Sequence, residues 1–265
     1  MNQGNDPIRN SRIDSKLAVL IDADNITHTH VKEMMEEIAK YGTPTFKRIY
    51  GDWTHPRLGG WKNVLLQNAI TPIQQYGYTK GKNATDSAMI IDAMDILYSG
   101  KVDGFCIVSS DSDFTRLATR LREAGMTVIG IGEKKTPMPF ITSCDRFIYL
   151  EILQQSVAAE EETDEDVSKT TSKPKSQPKL PRAPKIDRQT YMLFRNSVWD
   201  VADENGWAFL GDVGNLIMKK QPSFDPRSYG FPKLTPLLKA LKHFEIDERE
   251  TDNANIRHIY VRNKR

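Results

Sequence analysis

Five aspartates are placed so that one chemistry can use them together: Asp22, Asp24, Asp86, Asp111 and Asp113. The first two follow the apolar run Leu17-Ala-Val-Leu-Ile21, and the last two follow Gly104-Phe-Cys-Ile-Val108 by way of Ser109 and Ser110. Asp86 begins the inward stripe of a helix, just ahead of Met89 and Ile90. Carboxylates gathered without counter-charge repel one another and lose hydration, so most would have to be protonated at pH 7. A divalent cation removes that cost, because Mg²⁺ or Mn²⁺ takes carboxylate oxygens and keeps waters for a phosphate substrate. A lone acid at a strand end usually caps a turn; five arriving from three elements favour a metal site.

Around these acids stand several helpers. Asn25 either orients a metal-bound water or phosphate oxygen, or caps a helix. Lys80-Gly-Lys82-Asn83 directly precedes the helix of Asp86, so Lys80 and Lys82 together with a helix N-terminus would attract phosphate; an ordinary basic surface loop has the same spacing. Asp92 and Asp95 lie on the same helix as Asp86, with Asp95 expected in water and Asp92 nearer the edge of the site. No Walker-type loop follows a strand and no G-x-G-x-x-G follows the first one, so a nucleotide cofactor is not indicated. No Ser-His-Asp or Cys-His arrangement is legible, and His28, His30 and His55 read as surface residues near strand ends.

Positioning the acids requires a particular scaffold. Five-residue apolar runs rich in branched side chains read as parallel strands buried on both faces. Strands are expected at Leu17–Asp22, Thr45–Tyr50, Thr71–Tyr76, Phe105–Val108 and Thr127–Ile131. Between them, helices are expected at Thr27–Tyr41, Trp61–Ala69, Thr85–Ser99 (inward stripe Met89, Ile90, Ala93, Leu97) and Ser112–Ala124. The apolar pair Phe140-Ile141 and Phe147–Leu150 should pack on the sheet edge. This alternation demands a parallel sheet with right-handed crossovers. In the order 3-2-1-4-5, strands one and four are neighbours where the winding reverses, the usual ligand position of such sheets. The two acidic strand ends then meet there.

The chain has 265 residues, 38% of them apolar and 27% charged, which suits two ordinary cores joined by polar chain. No run approaches the roughly 20 apolar residues of a membrane span, and Met1–Ser15 lacks a signal-peptide core, so the expected location is the cytoplasm. Cys106 and Cys144 are the only cysteines and read as packing residues. A net charge of +2 means that a nucleic-acid partner must be argued from local cations. Three segments result: a first domain at 16–153, a linker at 154–186 that passes from an acidic run to a Lys-, Ser- and Pro-rich one, and a second domain at 187–265. Pro174, Pro178, Pro181 and Pro184 should keep the end of the linker extended. In the second domain, a helical stripe of Tyr191, Phe194, Val198, Trp199 and Val201-Ala202 is followed by helices at Asp212–Lys220 and Pro232–Leu241. A hairpin is expected from Phe244–Asp247 and His258–Arg262 around Asn253–Asn255, giving a winged-helix-like unit.

Two resemblances attach to these motifs. Residues 17–150, with Ile21-Asp-Ala-Asp-Asn25, Lys82-Asn-Ala-Thr-Asp86 through Asp92, and Ser109-Ser-Asp-Ser-Asp-Phe114, resemble a bacterial NYN domain of the LabA-like group, itself similar to PIN-domain nucleases. The resemblance implies an α/β, Rossmannoid parallel-sheet fold and a metal-dependent ribonuclease, a hydrolase cutting RNA internally. It implies Asp22, Asp86 and Asp111 as metal ligands, with Asn25, Asp92 and Asp113 in support. Many PIN-like sites carry adjacent acids on the third element, where this chain has Asp86 followed by Ser87. The remainder, with Gly206-Trp207, Leu210-Gly211, Val213-Gly-Asn-Leu216, Pro222-Ser-Phe-Asp225 and Tyr229-Gly-Phe231, is similar to the OST-HTH or LOTUS domain, a winged-helix module associated with RNA.

On that reading Lys219, Lys220, Lys233 and Lys239, with Arg227 and Lys242, suit phosphate contact, and Tyr229 and Phe231 are either stacking platforms or core. Two other classes stay open. Asp22-Ala-Asp24 after an apolar strand also resembles the D-x-D of aspartyl-phosphate phosphatases, although Ile26 stands where that family prefers Thr or Val. The chain could also be a non-catalytic RNA-binding or scaffold protein, with a homo-oligomer or a protein partner joined through the second domain.

Overall fold

The computed structural model describes residues 15–76, 84–153, 186–250 and 257–264. The chain divides into two compact units at Glu165/Asp166. In the first, six strands form one sheet: β1 (Lys16–Asp22), β2 (Thr43–Gly51), β3 (Thr71–Gln74), β4 (Gly104–Val108), β5 (Thr127–Gly132) and β6 (Arg146–Tyr149). Their order is β3-β2-β1-β4-β5-β6 and every pairing is parallel. The expected reversal between β1 and β4 is present, with Ile21 opposite Val108. The apolar segments anticipated at the sheet edge become a short helix and a sixth strand, β6, whose ends are half-exposed and whose middle is buried.

Helices α1 (Val31–Ile38), α2 (Trp61–Asn68), α3 (Ala84–Ser99), α4 (Thr115–Glu123) and α5 (Met138–Ser143) connect these strands. Side chains alternate across a strand, and β1 sends Leu17, Val19 and Ile21 into one core and Ala18 and Leu20 into the other. The second core is closed by α3 through Met89, Ala93 and Ile96. Burying side chains the size of Met89 and Ile96 stabilises by about 1.5–3 kcal/mol each. Ile90 and Leu97, expected on that stripe, are only partly buried. The helix expected from Ser112 starts instead as a tight turn, Ser112–Phe114, because the Asp111 side chain accepts from the Asp113 N–H and holds the chain in a 3₁₀ form. Gly132 ends β5 against β4: a Cβ there would lie 2.6 Å from the Ser109 carbonyl oxygen. Cys106 and Cys144 are free and buried, and burial pushes both thiols up, Cys144 to about 12.

The second unit has α6 (Arg188–Val201), β7 (Ala208–Phe209), α7 (Leu210–Lys220), α8 (Leu234–Ala240), β8 (Phe244–Glu250) and β9 (Arg257–Asn263), with the antiparallel order β7-β9-β8. Three helices and a small sheet match the winged-helix-like expectation. Its core gathers Phe194, Val198, Val213, Ile217, Leu237, Leu238 and Val261. Ile186, read as the last linker residue, packs against that core. Phe231 is buried and Tyr229 packs on the same core, its hydroxyl 3.1 Å from that of Thr190, so both aromatics serve as core and not as stacking platforms. Trp199 corrects the expected stripe: it is 79% exposed. The hairpin turn at Asn253–Asn255 and the linker from 154 to 185 lie outside the described residues.

Candidate functional site

The strand alternation that builds the second core also sets the floor of the site. Continuing from Ala18 and Leu20, the next residue on that face of β1 is Asp22; continuing from Phe105 and Ile107 on β4, it is Ser109. The two meet across the switch point. Ser109 Oγ donates to Asp22 Oδ2 at 2.9 Å, and Asn25 Nδ2 donates to the same oxygen at 2.5 Å. The Asp24 N–H reaches Asp22 Oδ1 at 2.9 Å. Asp22 is fully buried, and burial raises its carboxyl above the ordinary range while these three donors pull it back. Asn25 therefore holds Asp22 and does not cap a helix.

From Ser109 the bonding runs outward along the β4 end. Its Oγ accepts from the Asp111 N–H at 3.1 Å, and Asp111 Oδ1 accepts from the Asp113 N–H at 2.9 Å. Above this chain the first turn of α3 brings Asp86. One carboxylate oxygen from each of Asp86, Asp111 and Asp113 lies within 4.8 Å of the others. Asp86 and Asp111 are half-buried and Asp113 is exposed. Desolvation, then the charges of Asp22, Asp111, Asp113 and Asp24 in that order, push Asp86 up to about 6. The donor set fits a hard cation: three carboxylates, no sulfur or imidazole, with oxygens close enough together for one ion to reach all three. Asp22 lies beneath this trio as a fourth charge, with one oxygen already taking two donors.

The remaining acids have other work. Asp24 is paired with Arg57 of the loop after β2. Asp92 is bonded to both Arg48 and the buried Tyr50 of β2, so it clamps α3 to the sheet, six residues after Asp86. Its partners show the effect, since Asp92 raises both the Tyr50 hydroxyl, after burial, and the Arg48 guanidinium. Asp95 is exposed. Lys80 and Lys82 lie outside the described residues. His28 packs edge-on against Trp61, and His55 Nδ1 accepts from the Arg57 N–H at 3.3 Å. Sequence reasoning missed Arg57, which joins Asp24 across 33 positions with no pattern between them. It also gave Ser109 no role, although two hydroxyl residues between a buried strand and two acids were a signal.

The clamp makes a prediction. Asp92→Ala should lower stability to urea by about 2 kcal/mol, because the Tyr50 hydroxyl and Arg48 lose a shared, half-buried acceptor. Stability within error of wild type would show that α3 is held by its apolar stripe alone.

In the second unit, Lys220 donates to Asp200 at 2.5 Å and Lys239 to Glu248 at 2.6 Å. Lys219, in the last turn of α7, and Lys233, at the start of α8, are exposed.

A parallel, doubly flanked sheet carrying carboxylates at its switch point defines a PIN-like α/β domain, and the second unit adds a small helical domain with an antiparallel sheet. The chain belongs to the NYN domain family, whose model matches residues 16–151. It carries an OST-HTH/LOTUS domain at 182–256. No curated protein matches it. Among solved structures, it is similar to an uncharacterized protein from Nitrosomonas europaea, at 30% identity over 37% of this chain and 92% of that one, with a TM-score of 0.28. It is similar also to a protein of unknown function from Vibrio parahaemolyticus, at 18% identity over 56% and 94%, TM-score 0.43. A Chromobacterium violaceum protein fragment matches at 31% identity over 31% and 86%, TM-score 0.24. Among the described residues, no helix is long and apolar enough to cross a membrane.

Proposed function

We propose that this protein is a metal-dependent ribonuclease in which the NYN domain hydrolyses RNA phosphodiesters and the OST-HTH domain holds the RNA. The observation that carries this reading is the Asp86, Asp111 and Asp113 trio over the buried Asp22. These three would hold Mg²⁺ or Mn²⁺, with Asp22 supplying charge from below. Such an ion, when bound, polarises a phosphate and acidifies a water. The chain's own groups do the rest. Asp113, the exposed member, would accept a proton from an attacking water. Asn25 and Ser109 fix Asp22, and Asp92 fixes the helix that delivers Asp86. Lys80 and Lys82, on either side of Gly81 before that helix, would draw the RNA backbone toward it. Residues 154–185 would act as a tether that raises the RNA concentration at the site.

The phosphoryl-aspartate alternative is less well supported, because the Asp22 carboxylate is buried and takes three hydrogen bonds, which leaves it a poor nucleophile. The deciding experiment is incubation with mixed RNAs in Mn²⁺ against EDTA. Cleavage in Mn²⁺ alone is expected; RNA bound but left intact in both would make the chain a binding protein.

For the second domain, exposed cations that are not tied to acids should dominate contact with phosphate. Exchanging Lys219 and Lys233 together for Glu should weaken RNA binding and flatten the salt dependence, each cation removing about 0.7 from the slope of log K against log salt for a single strand. An unchanged slope would place the RNA on another face.

A further inference from the structure

Outside the acidic site, the most unusual surface is a groove in the second domain beside Trp199, the most exposed large apolar side chain among the described residues. Asp203, Glu204, Asn205, Glu245 and Arg262 line it with Trp199. Its walls are already organised. Asp203 Oδ1 takes the N–H groups of Asn205 and Trp207, each at 2.9 Å, and the Arg262 guanidinium lies 4.6 Å over the Trp207 ring while bonding Glu245. Three carboxylates face one guanidinium there, so the groove is net acidic. An RNA base could stack on Trp199, but its phosphates would have to pass those carboxylates. A cationic peptide meets no such obstacle, and a Lys or Arg over an indole is attracted by the ring as well.

The sequence supplies such a peptide next door. Residues 173–185 read Lys-Pro-Lys-Ser-Gln-Pro-Lys-Leu-Pro-Arg-Ala-Pro-Lys, with five cations, no acid and two overlapping P-x-x-P spacings. Proline at this density favours the extended polyproline helix that aromatic-lined grooves recognise. The reach is right as well. Trp199 stands eleven residues after Arg188 along α6, about 17 Å at the helical rise. At about 3.1 Å per residue, roughly six residues doubling back from Ile186 cover that distance and bring Lys179–Arg182 to the indole.

We infer that the Trp199 groove is a docking site for this chain's own proline-rich basic segment, residues 173–185, seated in cis with Arg182 or Lys179 between the indole and Glu204. The occupied groove shortens the effective tether between the domains to the stretch before residue 173. An affinity of about 0.1 mM, met at an effective concentration of about 1 mM, leaves about ten segments docked for each one free.

The test is trypsin cleavage after Lys179 in the full chain, with cleavage after Lys169 as the internal reference. Trp199→Ala should speed the Lys179 cut about tenfold, since proteolysis follows the undocked population. Neither Trp199 nor Glu204 contributes to the core, so these variants keep the fold. Glu204→Lys should speed the cut similarly, and Glu204→Lys combined with Arg182→Glu should restore protection. Equal rates in wild type, Trp199→Ala and Glu204→Lys would overturn the inference. Protection that rises with protein concentration would overturn the cis assignment in favour of a second copy. A loss of RNA affinity in Trp199→Ala with an unchanged Lys179 rate would overturn it in favour of base stacking.

Discussion

Asp86→Asn should abolish metal-dependent cleavage, by about 10³-fold or more, while making the metal-free protein more stable at neutral pH. On the proposed reading, the rate loss follows from removing a ligand of an ion whose charge stabilisation would be worth several kcal/mol. The stability gain follows from the electrostatics. Asp86 sits among four other carboxylates and titrates at about 6 against an ordinary 3.8. With the folded value raised, the native state binds the extra proton between those two pH values. Stability of the metal-free protein therefore falls as pH climbs from about 4 through about 6, and the loss is complete above it. Asp86→Asn removes that slope. Thermal melts in EDTA at pH 4.5 and 7.5 check the sign: wild type should melt lower at pH 7.5 relative to the variant than at pH 4.5. A variant that melts lower than wild type at pH 7.5 would mean that Asp86 is held by a structural partner and not by repulsion.

Deleting residues 187–265 should leave the cleavage chemistry in place and weaken RNA capture about a hundredfold at low salt, the usual scale on which a second tethered contact adds to a first. The two units can be separated in this way because their cores share no residue: one pair of clusters runs from Leu17 to Leu153 and the other from Ile186 to Val261. Phosphate contacts act through counterion release, so the difference between full chain and fragment should shrink as salt rises. RNA affinities of the full chain and both fragments at two salt concentrations decide the matter. If residues 187–265 bind no RNA at low salt and their removal costs no affinity, the second domain engages protein instead.

The central strands were legible because a parallel strand buried on both faces is an unbroken apolar run, and each of β1, β4 and β5 is one. The acids of β1 and β4 were legible for the same reason, since carboxylates at or just beyond the end of such a run stand out. The edge strand β6 was harder: only Phe147 and Ile148 are buried in it, and two residues carry no period. Trp199 was misplaced by its neighbour. Val198 continues the Phe194 stripe at i+4, and a residue one step further is turned about 100° away, toward water. Which acids share the cluster was beyond pattern reading as well. Asp22, Asp111 and Asp113 all follow strands, and only the hydrogen bonds of Asn25, Asp24 and Ser109 reveal that the first is sunk beneath the others. Asp92 reads from the sequence as a supporting acid near the edge of the site, and it takes the fold to show it bonded to β2.

The hydrogen bond between Asp22 and Ser109 spans 87 positions of the chain. At ribosomal speeds of 5–20 residues per second, roughly 4–17 s separate the synthesis of its two ends. During that interval the nascent chain carries β1, β2 and β3 with Asp22 at an unfinished edge, and neither Asp111 nor Asp113 exists. The pairing of β4 with β1 is a long-range closure, the kind that forms late. It joins the two halves of the sheet and gathers the acidic cluster in the same event. A chain still on the ribosome, surrounded by the RNA of the machine that makes it, is thus kept from gathering its acidic cluster until the two halves of its sheet have met.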